Sequence, residues 1–134
     1  MQTWNKEKIE QEKKNLEGAE LKGLDLSGIK LRKANLISAN LVSANLSGAD
    51  LSGANISGAK GMRADLSNAN LSGANLLKSN FSWANFQESN LIDVDLMGAN
   101  LSDTVLIKAD LIRAKMVETN LPHSDLSGAD LSEA

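Results

Sequence analysis

Side chains that could do acid–base or metal chemistry are few in this sequence. His123 is the only histidine among 134 residues, and there is no cysteine. A histidine-based metal cluster and a thiolate nucleophile are therefore excluded, and His123, beside Pro122, is expected to be a solvated turn residue. Most carboxylates of the repeat region lie at multiples of five residues, as in Asp50, Asp65, Asp110, Asp125 and Asp130. This fixed spacing favours a role as acceptors for nearby backbone N–H groups over a catalytic role.

The glycine-rich stretches do not predict a cofactor site either. Stretches such as SGADLSGAN lack the Lys-Ser/Thr ending of a phosphate-binding loop. The GGxGxD motif of calcium-binding β-rolls is also absent, so no structural calcium is expected. We therefore predict that the protein is not an enzyme and has no cofactor, no metal and no catalytic residue.

A single five-residue repeat positions nearly every side chain. From position 16 to 131 in steps of five, 23 of 24 residues are Leu, Ile, Phe or Met, and the exception is Gly61. We call these the centre residues. In the phase two positions before a centre, 16 of the 24 residues from 19 to 134 are Ala, and in the phase one position before, 18 of the 23 from 20 to 130 are Asn or Asp. Nine of the ten glycines lie two positions after a centre, so the motif is A-(N/D)-L-S-G.

A period of five is not the period of a helix or of a strand. Steps of five scatter the centre residues around an α-helix and alternate them between the two faces of a strand. A solenoid with one repeat per corner instead points the centre and the alanine inward. Its Ser-Gly pair favours a type II turn, with Pro122 at the first inner position. At corners where Lys33, Arg63 or Glu88 replaces the glycine, we expect another turn type.

The run from 16 to 134 resembles the pentapeptide-repeat family, whose motif is A(D/N)LXX. The match is specific because the motif recurs about two dozen times in one phase. The resemblance implies an all-β fold, a right-handed quadrilateral β-helix with four pentapeptides per coil and about six coils. It also suggests a bacterial, cyanobacterial-like protein.

Residues 1–15 break the period and are predicted to form a separate capping segment. They are rich in charge, and oppositely charged residues four apart favour a short helix, with Thr3 or Asn5 as its N-cap. Trp4 and Ile9 are expected to lie over the open top of the first coil, because a solenoid end exposes core and unpaired backbone. A partner-binding helix is the alternative.

Gly61 is the one irregularity inside the predicted core. With four repeats per coil, residues twenty apart stack, so Gly61 lies under Phe81, and Phe86 occupies the next column. The large ring is expected to fill the space that the missing side chain leaves. The alternatives are a bulge that turns Met62 inward, or a small pocket or flexible bend.

An apolar set on the outer surface is the candidate interaction site. Stacking by twenty aligns Leu77, Met97 and Val117 on one face, and Ile92 and Ile112 on the adjoining face, with Ile107 nearby and Trp83 on a neighbouring face. A contiguous outward apolar stripe favours a protein partner. The alternative is that such residues merely suit an exposed, extended backbone.

These observations predict a non-enzymatic scaffold or protein–protein interaction module. The alternative that the family implies is a DNA-mimicking binder of DNA gyrase or topoisomerase, of the quinolone-resistance type. It is disfavoured because the repeat is short and its 14 acidic and 10 basic residues leave only a mild negative charge. The overall charge of −3 likewise predicts no binding to nucleic acid.

The sequence also predicts where the protein is located and how it assembles. The polar N-terminus and the lack of a long apolar run predict a cytoplasmic protein with no signal peptide and no membrane contact. The motif continues through LSGADLSEA, so the last coil is expected to be uncapped. An uncapped coil predicts a homodimer or end-to-end stacking through this end. The alternative is that such short edges, interrupted by turns, do not associate.

Overall fold

Parallel β-bridges twenty residues apart join neighbouring turns of a solenoid, from Glu20↔Asn40 to Asp110↔Asp130. The structure is a computed structural model and describes residues 3–134. Since each repeat has five residues, four pentapeptides make one turn, and the bridges form four columns. We number the corresponding faces 1 to 4 by the columns Glu20–Asn120, Asp25–Asp125, Lys30–Asp130 and Asn35–Lys115. The predicted β-helical solenoid is confirmed.

Each bridge is a single residue, so no regular strand occurs within residues 3–134. The Asn40 N–H donates to the Ala19 carbonyl (2.9 Å), and the Leu21 N–H donates to the Asn40 carbonyl (2.8 Å). A turn follows at once, which prevents the pairing from extending along the chain. The helices are α1 (Lys6–Gln11) and a 3₁₀ helix at Lys13–Asn15.

The corners are β-turns with a left-handed residue at the second inner position. At one corner the Ala49 N–H donates to the Leu46 carbonyl (3.0 Å), and Gly48 between them has φ 67°. The expectation of a different turn type was wrong. Without glycine, the φ angles remain left-handed, at 58° for Lys33, 61° for Arg63 and 57° for Glu88.

The bridge ladder explains why the glycine-free corners keep this conformation. The N–H of the second inner residue donates to the next turn of the solenoid, as the Arg63 N–H does to the Ser82 carbonyl (3.0 Å). A corner of another type would misdirect this donor and leave a backbone group unpaired. Tertiary pairing therefore outweighs the local strain, which is about 1–2 kcal/mol per residue.

The interior is a narrow column of centre residues and alanines. Most are fully buried, and they form one continuous core from Ile9 to Ala114. Where a hydroxyl replaces the alanine, it donates to the carbonyl of a centre residue, either three positions earlier or, for Thr119 and Ser124, on the preceding turn. Ser79 donates to Leu76 (2.7 Å) and Thr104 to Leu101 (2.8 Å), so the buried oxygens are satisfied.

The Phe81 ring lies directly against Gly61. A Cβ atom built on Gly61 would lie 2.0 Å from Phe81 Cε1, so the ring occupies that space. The backbone does not bulge there, because Lys60 keeps its bridges to both neighbouring turns. Met62 lies outside the buried core, partly exposed. Phe81 also packs edge-to-face on Phe86, with ring centroids 5.8 Å apart.

The N-terminal segment packs on the first turn of the solenoid. Asn5 is the N-cap of α1 and accepts a hydrogen bond from the Lys8 N–H (2.8 Å). Ile9 is fully buried, and Trp4 packs against the core. The Glu10 carboxylate accepts the Lys30 N–H (2.8 Å). That N–H points away from the following turn, so Glu10 takes the place of a preceding turn's carbonyl.

Candidate interaction surface

Side-chain hydrogen bonds hold the outward positions of each corner. The Asn or Asp before a centre accepts the backbone N–H two residues later. Asn75 accepts from Leu77 (2.9 Å), and Asp95 accepts from Met97 (3.0 Å). These bonds confirm the predicted role of the repeated Asn and Asp side chains. Outward side chains therefore project from rigid corners, which suits a recognition surface.

An Asp followed two residues later by Ser makes a second bond. The Ser52 N–H and the Ser52 hydroxyl both donate to Asp50 Oδ1, at 3.0 Å and 2.7 Å. The hydroxyl, and then the N–H, hold the pKa of Asp50 below its usual value. A carboxylate held in this way is a structural acceptor. Within residues 3–134, no three His, Cys, Asp or Glu side chains are grouped so that they could hold a metal ion.

Leu77, Met97 and Val117 form an outward apolar column on face 4. The Lys78 N–H donates to the Met97 carbonyl (2.9 Å), and the Gly98 N–H donates to the Val117 carbonyl (3.1 Å). Val117 is 63% exposed, whereas Leu77 and Met97 are partly buried. The column therefore presents its most accessible side chain at its last turn.

The other predicted surface residues are divided among three faces. Ile92 and Ile112 stack on face 3, where the Asp93 N–H donates to the Ile112 carbonyl (2.9 Å). Ile92 lies five residues before Met97, and Ile112 lies five residues before Val117. Ile107 lies on face 2, and Trp83 lies on face 1. Ile92 and Ile112 thus lie on the face next to the column, with the Asp93–Arg113 ion pair between the two rows along the chain, and Trp83 lies on neither face.

The structure also exposes side chains that the sequence-based prediction of the interaction surface did not include. Leu131 is 42% exposed, and Lys60 and Arg63 are exposed on face 1, one turn before Trp83. The signal for the two cations was available in the sequence. They occupy positions where the motif has Asn or Asp and Gly, in the same repeat as the irregular Gly61.

Two ion pairs occur within the described residues, and both are at the surface. Arg113 and Asp93 stack on face 3, with Nε 2.8 Å from Oδ1 and Nη2 3.1 Å from Oδ2. The Arg113 side chain lowers the pKa of Asp93, and Asp93 raises the pKa of Arg113. The other pair joins Lys6 to Asp25 at 4.0 Å. The excess of carboxylates over basic side chains is largest on face 2, where Asp25, Asp65, Glu88 and Asp125 stand against Lys108.

The chain belongs to the pentapeptide-repeat family. The family model "Pentapeptide repeats" matches residues 13–36, 29–60, 64–103 and 104–134, in eight copies. Among curated proteins, none matches the sequence significantly.

Solved structures of the same family resemble this chain. Rfr23 from the cyanobacterium Cyanothece 51142 is 26% identical with a TM-score of 0.72, and the match covers 92% of each chain. HetL from Nostoc sp. strain PCC 7120, involved in heterocyst differentiation regulation, is 33% identical with a TM-score of 0.52, over 87% of this chain and 61% of HetL. A protein of the Arabidopsis thaliana thylakoid lumen is 33% identical with a TM-score of 0.59, over 81% of this chain and 66% of its own.

The match to two of these proteins is partial along their own length, since this chain spans less than two thirds of HetL and of the Arabidopsis protein. In the part of the chain that the structure describes, no helix is long and apolar enough to cross a bilayer.

Proposed function

We propose that the protein is a non-enzymatic protein–protein interaction module. Its scaffold would be a right-handed β-helix of about six coils, with residues 1–15 as a helical cap. This proposal is supported by the hydrogen-bonded corners, where Asp carboxylates accept backbone N–H groups and hold the outward side chains in place. Ile9 burial and the Glu10–Lys30 bond support the cap. We also propose a cytoplasmic location, for which the absence of cysteine is the only support.

The apolar surface of faces 3 and 4 is the proposed binding site. The observation that carries the proposal is the column Leu77, Met97 and Val117, aligned by backbone hydrogen bonds and ending in a side chain that is 63% exposed. Ile92 and Ile112 add a second apolar row on face 3, beyond the Asp93–Arg113 pair. Apolar side chains in contiguous rows on a soluble surface favour burial by a partner.

A capture experiment with matched variants tests this site. Immobilised wild-type protein, Met97→Lys and Ser57→Lys are exposed to extract from the native cell, and the retained proteins are identified. Ser57 belongs to the same column on face 4, two turns before Met97, but has no apolar side chain. We expect the same partner on the wild-type and Ser57→Lys proteins and its loss on Met97→Lys. Retention of every partner by Met97→Lys would exclude the column as the binding site.

A DNA-mimicking binder of DNA gyrase is the weaker proposal. The observation in its favour is the carboxylates of face 2, where Lys108 is the only basic side chain among the outward repeat positions. The two charge signs are mixed on the other faces, which argues against a continuous phosphate-like pattern. A gyrase supercoiling assay with excess protein distinguishes the two, because only the DNA mimic inhibits the enzyme or protects it from quinolones.

A further inference from the structure

Trp83 is the residue that the fold explains least. It is 60% exposed, and its φ is 64°. Within residues 3–134, fifteen non-glycine residues have such left-handed angles, and the other fourteen are all polar or charged. A bulky aromatic residue at this position is both strained and unburied. A strained, exposed side chain with no packing role is the kind of outlier that points to function.

Two exposed cations lie one turn before Trp83 on the same face. Lys60 bridges Asn80, and the Arg63 N–H donates to the Ser82 carbonyl (3.0 Å), so Arg63 stacks in register with Trp83. Neighbouring turns are about 4.8 Å apart. Met62 lies between the two cations in the sequence and is partly exposed. We call Lys60, Met62, Arg63 and Trp83 the Trp83 patch.

Neither cation of the patch has an ion-pair partner in the described part of the chain, where the two pairs are Lys6–Asp25 and Asp93–Arg113. The outward positions of face 1 carry no carboxylate from Asn40 to Asn100, and Asp103 lies one turn after Trp83, on the side away from the two cations. The nearest acid along the chain, Asp65, already accepts the Ser67 N–H and hydroxyl. Two unpaired cations therefore remain available to an outside carboxylate.

The Trp83 ring is also unused by its basic neighbours. Across residues 3–134, the cation that lies over an aromatic ring is Lys8, above Trp4 at 5.4 Å from the centroid. Exposed Trp and Arg are the residue types most enriched at energetically important interface positions. The exposed Trp83 ring and the partly exposed Met62 on the preceding turn therefore offer apolar surface on the same face as the two cations.

We propose that the Trp83 patch binds an acidic segment of a partner protein, with carboxylates on Lys60 and Arg63 and an apolar side chain on Trp83 and Met62. Charge complementarity selects this occupant. A nucleic-acid backbone needs a longer row of cations, and the chain has a net charge of −3. The patch lies on face 1, so this site is separate from the proposed column on face 4 and goes beyond it.

The test uses the full chain and a fluorescein-labelled peptide of alternating glutamate and phenylalanine, with anisotropy as the readout. In a Trp4→Phe background, Trp83 is the only tryptophan, so its emission reports contact directly. We expect saturable binding that weakens with salt, and a blue shift of Trp83 emission. Peptides with glutamine for glutamate, or serine for phenylalanine, should bind at least about tenfold more weakly.

Matched variants separate binding from folding and from the face 4 column. Trp83→Gly should lower affinity at least about tenfold while raising the melting temperature, because glycine relieves the left-handed strain. Lys60→Gln with Arg63→Gln should lower affinity similarly. Glu88→Gly, at the equivalent corner on face 2 with φ 57°, should raise the melting temperature and leave affinity unchanged. Met97→Lys should also leave it unchanged, which keeps the two sites distinguishable.

Three results would overturn the proposal. The first is absence of peptide binding by the wild-type protein at about millimolar concentration. The second is unchanged affinity in Trp83→Gly. The third is tighter binding of a single-stranded oligonucleotide, or of vesicles containing anionic lipid, than of the peptide, which would assign the patch to a different class of partner.

Discussion

The Phe81 ring fills the volume that a side chain on Gly61 would occupy. Phe81 Cε1, Cδ1 and Cζ lie 2.0, 2.2 and 2.6 Å from the position of a Cβ on residue 61. One turn of the solenoid therefore supplies the apolar volume that its neighbour lacks. Since cores are packed to the density of organic crystals, the two positions cannot change independently.

A double-mutant cycle measures this coupling. Gly61→Leu alone inserts a side chain into an occupied space and should cost about 1–3 kcal/mol of unfolding free energy. Phe81→Leu alone leaves a cavity beside Gly61 and should cost about 1–2 kcal/mol. The double variant restores the leucine column and should be more stable than the sum predicts by at least about 0.5 kcal/mol. Urea unfolding measures the four proteins, and strict additivity would contradict the contact.

Gly48 and Gly61 need glycine for different reasons, which alanine substitution separates. Gly48 has φ 67°, and a Cβ there meets no atom within 4 Å, so Gly48→Ala should cost about 1 kcal/mol from backbone strain. The φ of Gly61 is not left-handed, so Gly61→Ala is costly through the clash with Phe81. Adding Phe81→Leu should rescue Gly61→Ala and leave the Gly48→Ala cost unchanged. Equal rescue of both would contradict this distinction.

The sequence predicted the solenoid because its period of five is compatible with neither regular element, and Phe81 stacks on Gly61 as the step of twenty requires. It did not predict the corner conformation at Lys33 or Glu88, because local propensity disfavours a left-handed lysine or glutamate. The inter-turn hydrogen bonds that impose it are invisible in one repeat. The sequence did not predict side-chain exposure either, because Met97 and Val117 occupy the same motif position but only Val117 is largely exposed.

Acid should destabilise the solenoid through its Asp–Ser pairs. In Asp50, Asp125 and Asp130, the Ser hydroxyl and N–H two residues later lower the carboxyl pKa. A lowered folded-state pKa gives stability that is fully present above the unfolded value of about 3.9. That stability is lost as the pH falls through the folded-state pKa. We therefore expect melting temperatures to be level above about pH 5 and to fall below about pH 4.

Asparagine at these three positions should flatten the acid response. It keeps the acceptor for the backbone N–H, as Asn45 does for Ser47 at 3.0 Å, but does not titrate. The control is Asp103→Asn, at the second inner position of a turn with φ 57°. Thermal melts from pH 7 to pH 2 compare the variants. An unaltered acid response in the triple asparagine variant would assign the effect to other carboxylates.

Self-association through the last turn stays a prediction that light scattering can test. Leu131 is 42% exposed, and the centre residues Met116, Leu121 and Leu126 are only partly buried. Burial of such side chains contributes about 25 cal/mol per Å² of apolar area. We expect the apparent mass to rise with concentration in the wild type and to stay at 14.3 kDa in Leu131→Lys. A wild-type mass that stays monomeric at every concentration excludes this interface.

Glu10 should protect the first turn of the solenoid locally. Its carboxylate accepts the Lys30 N–H at 2.8 Å, and the Lys13 carbonyl accepts the Asn35 N–H at the same distance. In a repeat protein each turn depends mainly on its neighbours, so loss of one end contact should act locally. Glu10→Ala should speed hydrogen exchange at the Lys30 amide, with a smaller effect at Asn35. The Asp95 amide, paired to the Ala74 carbonyl at 3.0 Å in the middle of the solenoid, is the internal control. Uniform acceleration at all three amides would indicate that the segment stabilises the whole solenoid cooperatively rather than capping its first turn.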